Sequence, residues 1–167
     1  SGYDILYGGD GRDLMVGGDN NDRLYGNVDG DTIYGGNGYD WLLGQTGADR
    51  LSGDAGNDRL YGGEGLDRLF GGNDNDRLYG DGDNDTLYGG TGNDLLVGGT
   101  GNDAMSGDNG NDWFYGGDGL DRITGGNGND VLKGEGGSDT LIGGAGNDWL
   151  IGGYDDDNMV GGSDNDR

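Results

Sequence analysis

The chain has no cysteine, no proline and no histidine among its 167 residues, and these absences narrow its chemistry. Without cysteine there can be no disulfide framework, although an oxidising compartment is still allowed. Without cysteine or histidine, zinc and copper lack the ligands that they prefer. Without proline, interior strands keep every ladder hydrogen bond, and the 46 glycines cannot belong to a collagen helix.

Apolar residues are also scarce, at 29% of the chain, while the formal net charge is −24. Such a composition is typical of a disordered chain. No stretch is long and apolar enough to span a membrane, no signal peptide opens the chain, and phosphates would be repelled, so we predict no nucleic-acid partner. We expect disorder without a counter-charge and a folded chain with one.

What the sequence does contain is a strict period of nine residues. An aspartate occurs at every ninth position, nineteen times, from Asp4 to Asp166. Around Asp94, a glycine (Gly89) lies five residues before and a large apolar residue (Leu96) two residues after, and other units repeat this arrangement. A repeat array keeps such a register because each unit contacts only its neighbours. We predict a single repeat array over residues 1–167.

The unit Gly89–Val97 shows how the array would fold. Its first six residues are turn formers, and its last three predict a short strand with Leu96 pointing inward. If two units make one turn of a coil, residues eighteen apart stack in parallel strands. Antiparallel stacking is the alternative, but it would not bring identical turns into contact. We predict an all-β fold: a right-handed parallel β-roll (a β-solenoid) with two nine-residue repeats per turn and about nine turns.

Stacked turns would place the aspartates in two rows. Carboxylates one strand spacing apart, about 4.8 Å, repel unless a cation lies between them. Turn carbonyls would face the same place, and hard oxygen ligands suit Ca²⁺, whereas Mg²⁺ prefers to keep its waters. We predict metal binding by turn carbonyls, such as those of Gly89, Gly90, Thr91 and Gly92, and by every aspartate of the period. These are Asp4, Asp13, Asp22, Asp31, Asp40, Asp49, Asp58, Asp67, Asp76, Asp85, Asp94, Asp103, Asp112, Asp121, Asp130, Asp139, Asp148, Asp157 and Asp166.

The pattern Gly-Gly-x-Gly-x-Asp-x-apolar-x resembles the RTX family of calcium-binding nonapeptide repeats over essentially the whole chain. The resemblance implies calcium between turns n and n+2, and therefore up to roughly 17 ions for nineteen aspartates. It also implies a bacterial protein that is exported unfolded by a type I secretion system. Such a protein folds on meeting calcium outside the cell, where it is secreted or held at the cell surface.

Two turn positions depart from the glycine pattern. The second glycine is replaced at Asn27, Gln45, Asp54, Asp81, Asp108 and Glu135, and the third at Asn20, Asp29, Asp74, Asp83, Asp155 and Asp164. Because carbonyl ligands survive a change of side chain, we expect these turns to keep calcium with altered geometry or charge. The turn at residues 154–157 is the least regular.

The outward residues of one sheet include all three tryptophans. The candidate partner-binding residues on this face are Trp41, Trp113, Trp149, Tyr61, Tyr79 and Tyr115. Ordinary strand propensity accounts for such residues, and docking of a partner, a glycan or a second rod is the alternative. Ice binding would call for a regular Thr or Asn row. The turn row Asp10, Val28, Thr46, Glu64, Gly82 and Thr100 does not provide one.

The leading functional hypothesis is a calcium-binding structural module that serves as a rigid rod, spacer or folding aid of a secreted protein. We predict no catalysis, because the acids and arginines fall in repeating ladders with no single convergent pocket. The alternatives are a carbohydrate-, ice- or partner-binding adhesin-like face, or the appended domain of a secreted enzyme or toxin. The array has no capping element, so we expect a fragment of a longer protein or a subunit that stacks through its uncapped ends.

Overall fold

The computed structural model describes residues 2–167, in which eighteen six-residue β-strands follow one another, each beginning directly after an aspartate of the period. The strands are β1 Ile5–Asp10, β2 Leu14–Asp19, β3 Arg23–Val28, β4 Thr32–Asn37, β5 Trp41–Thr46, β6 Arg50–Ala55, β7 Arg59–Glu64, β8 Arg68–Asn73, β9 Arg77–Gly82, β10 Thr86–Thr91, β11 Leu95–Thr100, β12 Ala104–Asn109, β13 Trp113–Asp118, β14 Arg122–Asn127, β15 Val131–Gly136, β16 Thr140–Ala145, β17 Trp149–Tyr154 and β18 Asn158–Ser163. The prediction of three-residue strands is therefore wrong. Each strand continues through the two glycine positions that were assigned to the turn.

The strands form two nine-stranded parallel sheets, one from the odd-numbered and one from the even-numbered strands. Partners are eighteen residues apart, so that Leu78 of β9 pairs with Leu60 of β7 and with Leu96 of β11. This register confirms the parallel β-roll with two nine-residue units per turn and excludes the antiparallel alternative for the described residues.

The core consists of apolar side chains from both sheets that pack together between them. It consists of Met15, Leu24, Ile33, Leu42, Leu51, Leu60, Leu69, Leu78, Leu87, Leu96, Met105, Phe114, Ile123, Leu132 and Leu141. In an interior strand such as β9 the burial alternates, with Leu78 and then Gly80 buried. The second inward position of each repeat therefore carries no side chain, which leaves room beside it for the neighbouring aspartate.

The replaced turn glycines keep the left-handed backbone conformation that glycine would adopt. All twelve have φ between 68° and 81°. They are Asn, Asp, Gln or Glu, and Asn and Asp are the non-glycine residues that tolerate this region best. The turn backbone thus keeps its shape where the side chain changes.

Candidate metal centre

The aspartates stack along the two edges of the roll, one row beside each sheet. The backbone N–H of Asp76 donates to Oδ1 of Asp94 at 2.8 Å, and that of Asp85 donates to Oδ1 of Asp103 at 2.8 Å. Seventeen such bonds of 2.6–3.0 Å join each aspartate of the period to the one eighteen residues later. In each acceptor carboxylate, Oδ1 therefore already accepts a backbone N–H of the same chain.

The second carboxylate oxygen has no hydrogen-bond partner. From Asp22 to Asp148 the aspartates of the period are at most 2% exposed, although each carries a carboxyl group. The Oδ2 atoms of sixteen aspartates, Asp13 to Asp148, are buried and unpartnered. A buried carboxylate oxygen of this kind is costly unless a cation or a proton neutralises it.

The glycine five residues before each aspartate makes room for that oxygen. A Cβ placed on Gly8 would lie 2.8 Å from both Asp13 Oδ2 and the carbonyl oxygen of Gly26. A Cβ on Gly35 would lie 2.5 Å from Asp40 Oδ2 and 2.9 Å from the carbonyl oxygen of the corresponding glycine of the next turn. The invariance of this glycine was visible in the sequence, but its reason was not. It leaves a space shared by a carboxylate oxygen and a backbone carbonyl.

Among residues 2–167, no cationic group lowers the pKa of these carboxylates. Burial raises the pKa of Asp76 and of Asp85 to about 8, and neighbouring carboxylates add to the rise, while only the backbone hydrogen bond opposes it. The same causes raise the pKa of Asp58 and of Asp67 to about 7. These carboxylates are therefore costly to leave ionised unless a cation lies beside them.

The acidic replacements of turn glycines increase this negative potential in the middle of the roll. Asp54 and Asp74 both raise the pKa of Asp58 through charge repulsion. Asp81 and Asp83 act in the same way on Asp67. The departures from the glycine pattern thus add charge beside the row without changing the turn backbone.

The predicted carbonyl ligands lie where successive turns approach each other closely. Gly89, Gly90 and Thr91 end strand β10, and Gly92 follows in the turn. A Cβ on Gly90 or Gly92 would meet a backbone carbonyl of the turn eighteen residues earlier. Among residues 2–167, no three acidic side chains converge into a metal-binding group. A cation here would take few carboxylate ligands and many backbone carbonyls, a donor set of hard oxygens that fits Ca²⁺.

A second ladder, of asparagines, was missed by the sequence analysis. The N–H of Asn93 donates to Oδ1 of Asn75 at 2.6 Å, and the N–H of Asn111 donates to Oδ1 of Asn93 at 2.7 Å. The row comprises Asn57, Asn75, Asn93, Asn111, Asn129, Asn147 and Asn165. Its signal in the sequence was an Asn directly before every second aspartate of the period from Asp58 to Asp166. This asparagine row is different from the row considered for ice binding, which lies elsewhere in the turn. In the asparagine row, each Oδ1 from Asn57 to Asn147 accepts a backbone N–H.

The aromatic residues of the odd-numbered strands lie on one outer face, but their surroundings differ. Tyr61 and Tyr79 stack at 4.8 Å with an interplanar angle of 5°, and Trp41 lies 6.2 Å from Tyr61. Trp113 and Trp149 are 47% and 53% exposed. Tyr115 has the Lys133 ammonium 4.6 Å from its ring centre. Whether any of these residues binds a partner stays a prediction.

A sequence model built from four copies of the RTX calcium-binding nonapeptide repeat matches residues 1–24, 7–42, 25–60, 43–78, 61–96, 97–132 and 133–167. These segments together include the whole chain. The protein belongs to the RTX calcium-binding nonapeptide repeat family. The unpartnered Oδ2 atoms, and the spaces that the glycines five residues before the aspartates leave for them, are thus features of an RTX roll. Comparison with curated proteins gives no match. Within residues 2–167, no helix of this RTX chain could cross a membrane.

Proposed function

We propose that this RTX chain is a structural module that calcium folds into a rigid rod outside the cell. The row of buried, unpartnered Oδ2 atoms carries this proposal. In the folded chain these oxygens have lost water and gained no donor, so their charge opposes folding at neutral pH. A bound divalent cation supplies the missing positive charge.

The ligands of each ion would be an aspartate Oδ2 and backbone carbonyls of the stacked turns. We take the paired aspartates, from Asp4 with Asp22 to Asp148 with Asp166, as the units of binding. On this basis the chain holds up to roughly 17 calcium ions. Asp157 and Asp166 are only partly buried and are not among the aspartates with a buried, unpartnered Oδ2, so we expect the weakest binding there.

The need for calcium supports a secreted protein. A chain that requires many ions at modest affinity would stay unfolded at cytosolic calcium levels and fold at extracellular ones. Export by a type I secretion system, which passes unfolded chains, fits this behaviour. The rod could then act as a spacer or folding aid within a longer protein. Within residues 2–167 the aspartates of the period lie in two ladders along the roll, and no three acidic side chains converge on one point, which is consistent with a structural role.

Small-angle X-ray scattering with and without calcium tests the proposal. The radius of gyration should be about 43 Å in EDTA and about 15 Å in excess calcium, the values expected of unfolded and compact chains of this length. Native mass spectrometry of the compact form should then count many ions per chain. A compact chain in EDTA at pH 8, or saturation at two or three ions, would overturn it.

A further inference from the structure

The outer face of the last four odd-numbered strands, β11, β13, β15 and β17, has an apolar column along the roll. This tryptophan column consists of the first residue of each strand: Leu95, Trp113, Val131 and Trp149. The charged residues of the four strands lie outside the column, and they are Asp118, Lys133 and Glu135. In a chain of net charge −24, an exposed column without charge favours an uncharged partner over an ionic one.

Trp113 and Trp149 lie two strands apart in this column. Val131 is the register partner of both, so the two indoles are separated by two strand spacings, about 9.6 Å. About half of each side chain is exposed. Within residues 2–167, neither ring stacks on another aromatic ring or lies under a cation, since the stacked and covered rings belong to other residues. The column therefore presents two open aromatic surfaces at a fixed distance.

Trp41 belongs to the same sheet but has different surroundings. Its ring centre lies 6.2 Å from that of Tyr61 and 5.6 Å from the Arg23 guanidinium, and the residue is less exposed than the other two tryptophans. It is four strands away from Trp113. Trp41 is therefore a natural internal control for the two open tryptophans.

Carboxamide groups flank the tryptophan column on one side. Asn111 is exposed and lies two residues before Trp113. In Asn93 and Asn111, Oδ1 accepts a backbone N–H, whereas Nδ2 donates to no group within residues 2–167. A groove of about 690 Å³ runs along the asparagine row. It is lined by these two asparagines, Leu95 and Trp113, and also by Arg77 and the buried Asp76 and Asp94. Free amide donors thus lie beside an apolar surface.

We propose that the tryptophan column and this groove bind a neutral, extended β-1,4-linked glycan that lies along the roll. A face of each β-linked pyranose ring presents C–H groups, which pack on the electron-rich face of an indole. In an extended β-1,4-linked chain every second ring has the same orientation, and this two-ring repeat is close to the spacing of Trp113 and Trp149. The asparagine Nδ2 groups donate to sugar hydroxyls at the edge of the chain. The proposal uses the folded roll but does not depend on how the protein is exported or how many ions it binds.

Single tryptophan variants separate the open surfaces from the covered one. Trp113→Thr and Trp149→Thr each remove one open indole, and Trp41→Thr removes the covered indole of the same sheet. Threonine suits an outward strand position. Circular dichroism in excess calcium must first show that each variant is folded, and the comparison of glycans on the parent chain needs no variant.

A pair of asparagine variants tests the amide donors. Asn111→Asp keeps an acceptor for the Asn129 N–H but removes the Nδ2 donor. Asn102→Asp makes the same change beside the other sheet, where Oδ1 of Asn102 accepts the Leu120 N–H. The two variants add the same charge and keep the same kind of hydrogen bond, so they differ in their distance from the tryptophan column.

The test is isothermal titration of the calcium-loaded chain with cellohexaose. Maltohexaose, whose α-linkages give a curved chain, is the comparison. The parent should bind cellohexaose at least tenfold more tightly than maltohexaose. Trp113→Thr and Trp149→Thr should each weaken binding at least tenfold, and Asn111→Asp at least threefold. Trp41→Thr and Asn102→Asp should each change binding less than twofold.

The proposal would be overturned by a folded parent that binds neither glycan or binds both equally. Equal losses in Trp113→Thr and Trp41→Thr, or in Asn111→Asp and Asn102→Asp, would also overturn it. So would sedimentation that shows self-association of the parent and its loss in Trp113→Thr, because the column would then be a contact between copies of the chain.

Discussion

The middle and the ends of the roll have the same repeat but different environments. In the middle, Leu78 and Leu96 are fully buried and Asp85 is 2% exposed. At the carboxyl-terminal end, Met159 is 49% exposed, and Asp166 is only partly buried. A unit is covered only when turns lie on both sides of it, because each contacts its neighbours alone. Burial, and with it the cost of an unneutralised carboxylate, is therefore a property of position in the stack.

The largest expected effect comes from filling the inward glycine position in the middle. In Gly80→Ala the new Cβ would collide with Asp85 Oδ2 and with the backbone carbonyl of Gly98. We expect a loss of about 1–3 kcal/mol in the free energy of unfolding, measured by thermal unfolding in calcium. Gly82→Ala is the control in the same strand, because its nearest atom would be 3.6 Å away. Gly161→Ala, beside Asp166 at the end, should cost less than Gly80→Ala. Equal effects of Gly80→Ala and Gly82→Ala would contradict the assigned role of Gly80.

The next effect is on calcium affinity. Asp85→Asn keeps an oxygen for the Asp67 N–H but removes the charge from Oδ2. The calcium concentration at the folding midpoint should rise several-fold, because the lost ligand interrupts the stack between neighbours. Asp166→Asn, at the end, should change the midpoint little. If fluorescence titrations gave the two variants the same midpoint, the chain would not be a nearest-neighbour stack.

The third prediction concerns pH in the absence of metal. The folded chain raises the pKa of Asp76 and Asp85 from 3.8 to about 8, so it binds these protons more tightly than the unfolded chain. Protonation therefore stabilises the fold fully below about pH 4, and this stability is lost as the pH rises through the folded pKa values. In EDTA, circular dichroism should show more β structure at pH 4 than at pH 8. Excess calcium should flatten this dependence. More β structure at pH 8 than at pH 4 in EDTA would contradict it.

The smallest expected effect is on the asparagine ladder. Asn93→Ala removes the acceptor for the Asn111 N–H and should cost about 0.5–1.5 kcal/mol, towards the lower end because the bond is exposed. Asn165→Ala is the matched control, because within residues 2–167 the Asn165 backbone donates to Asn147 but its own Oδ1 accepts no N–H. Chemical denaturation in calcium should show a larger loss in the free energy of unfolding for Asn93→Ala than for Asn165→Ala. Equal losses would mean that the asparagine contributes by some route other than this bond.

The sequence was sufficient to predict the fold, because a nine-residue period without insertions allows few arrangements. It correctly placed Leu96 in the core and the aspartates, such as Asp76 and Asp94, in rows. The strand length could not be predicted, because glycine pairs such as Gly89-Gly90 are equally typical of turns, and only the eighteen-residue pairing shows that they extend the strand.

The detailed hydrogen bonding of the site was also beyond the sequence. Nothing in an aspartate's position indicates that one oxygen accepts a backbone N–H while the other is left unpartnered. That division depends on how closely adjacent turns approach, and the approach depends on the missing Cβ of glycines such as Gly80. The asparagine ladder, by contrast, was available from spacing alone.

The central claim is that the buried aspartates need calcium for the chain to fold at neutral pH. Far-UV circular dichroism of the whole chain at pH 8 tests it directly, first in EDTA and then during titration with Ca²⁺ or with Mg²⁺. We expect a disordered spectrum in EDTA, a cooperative gain of β structure with calcium, and little change with magnesium at the same concentrations. A full β spectrum in EDTA would contradict the claim.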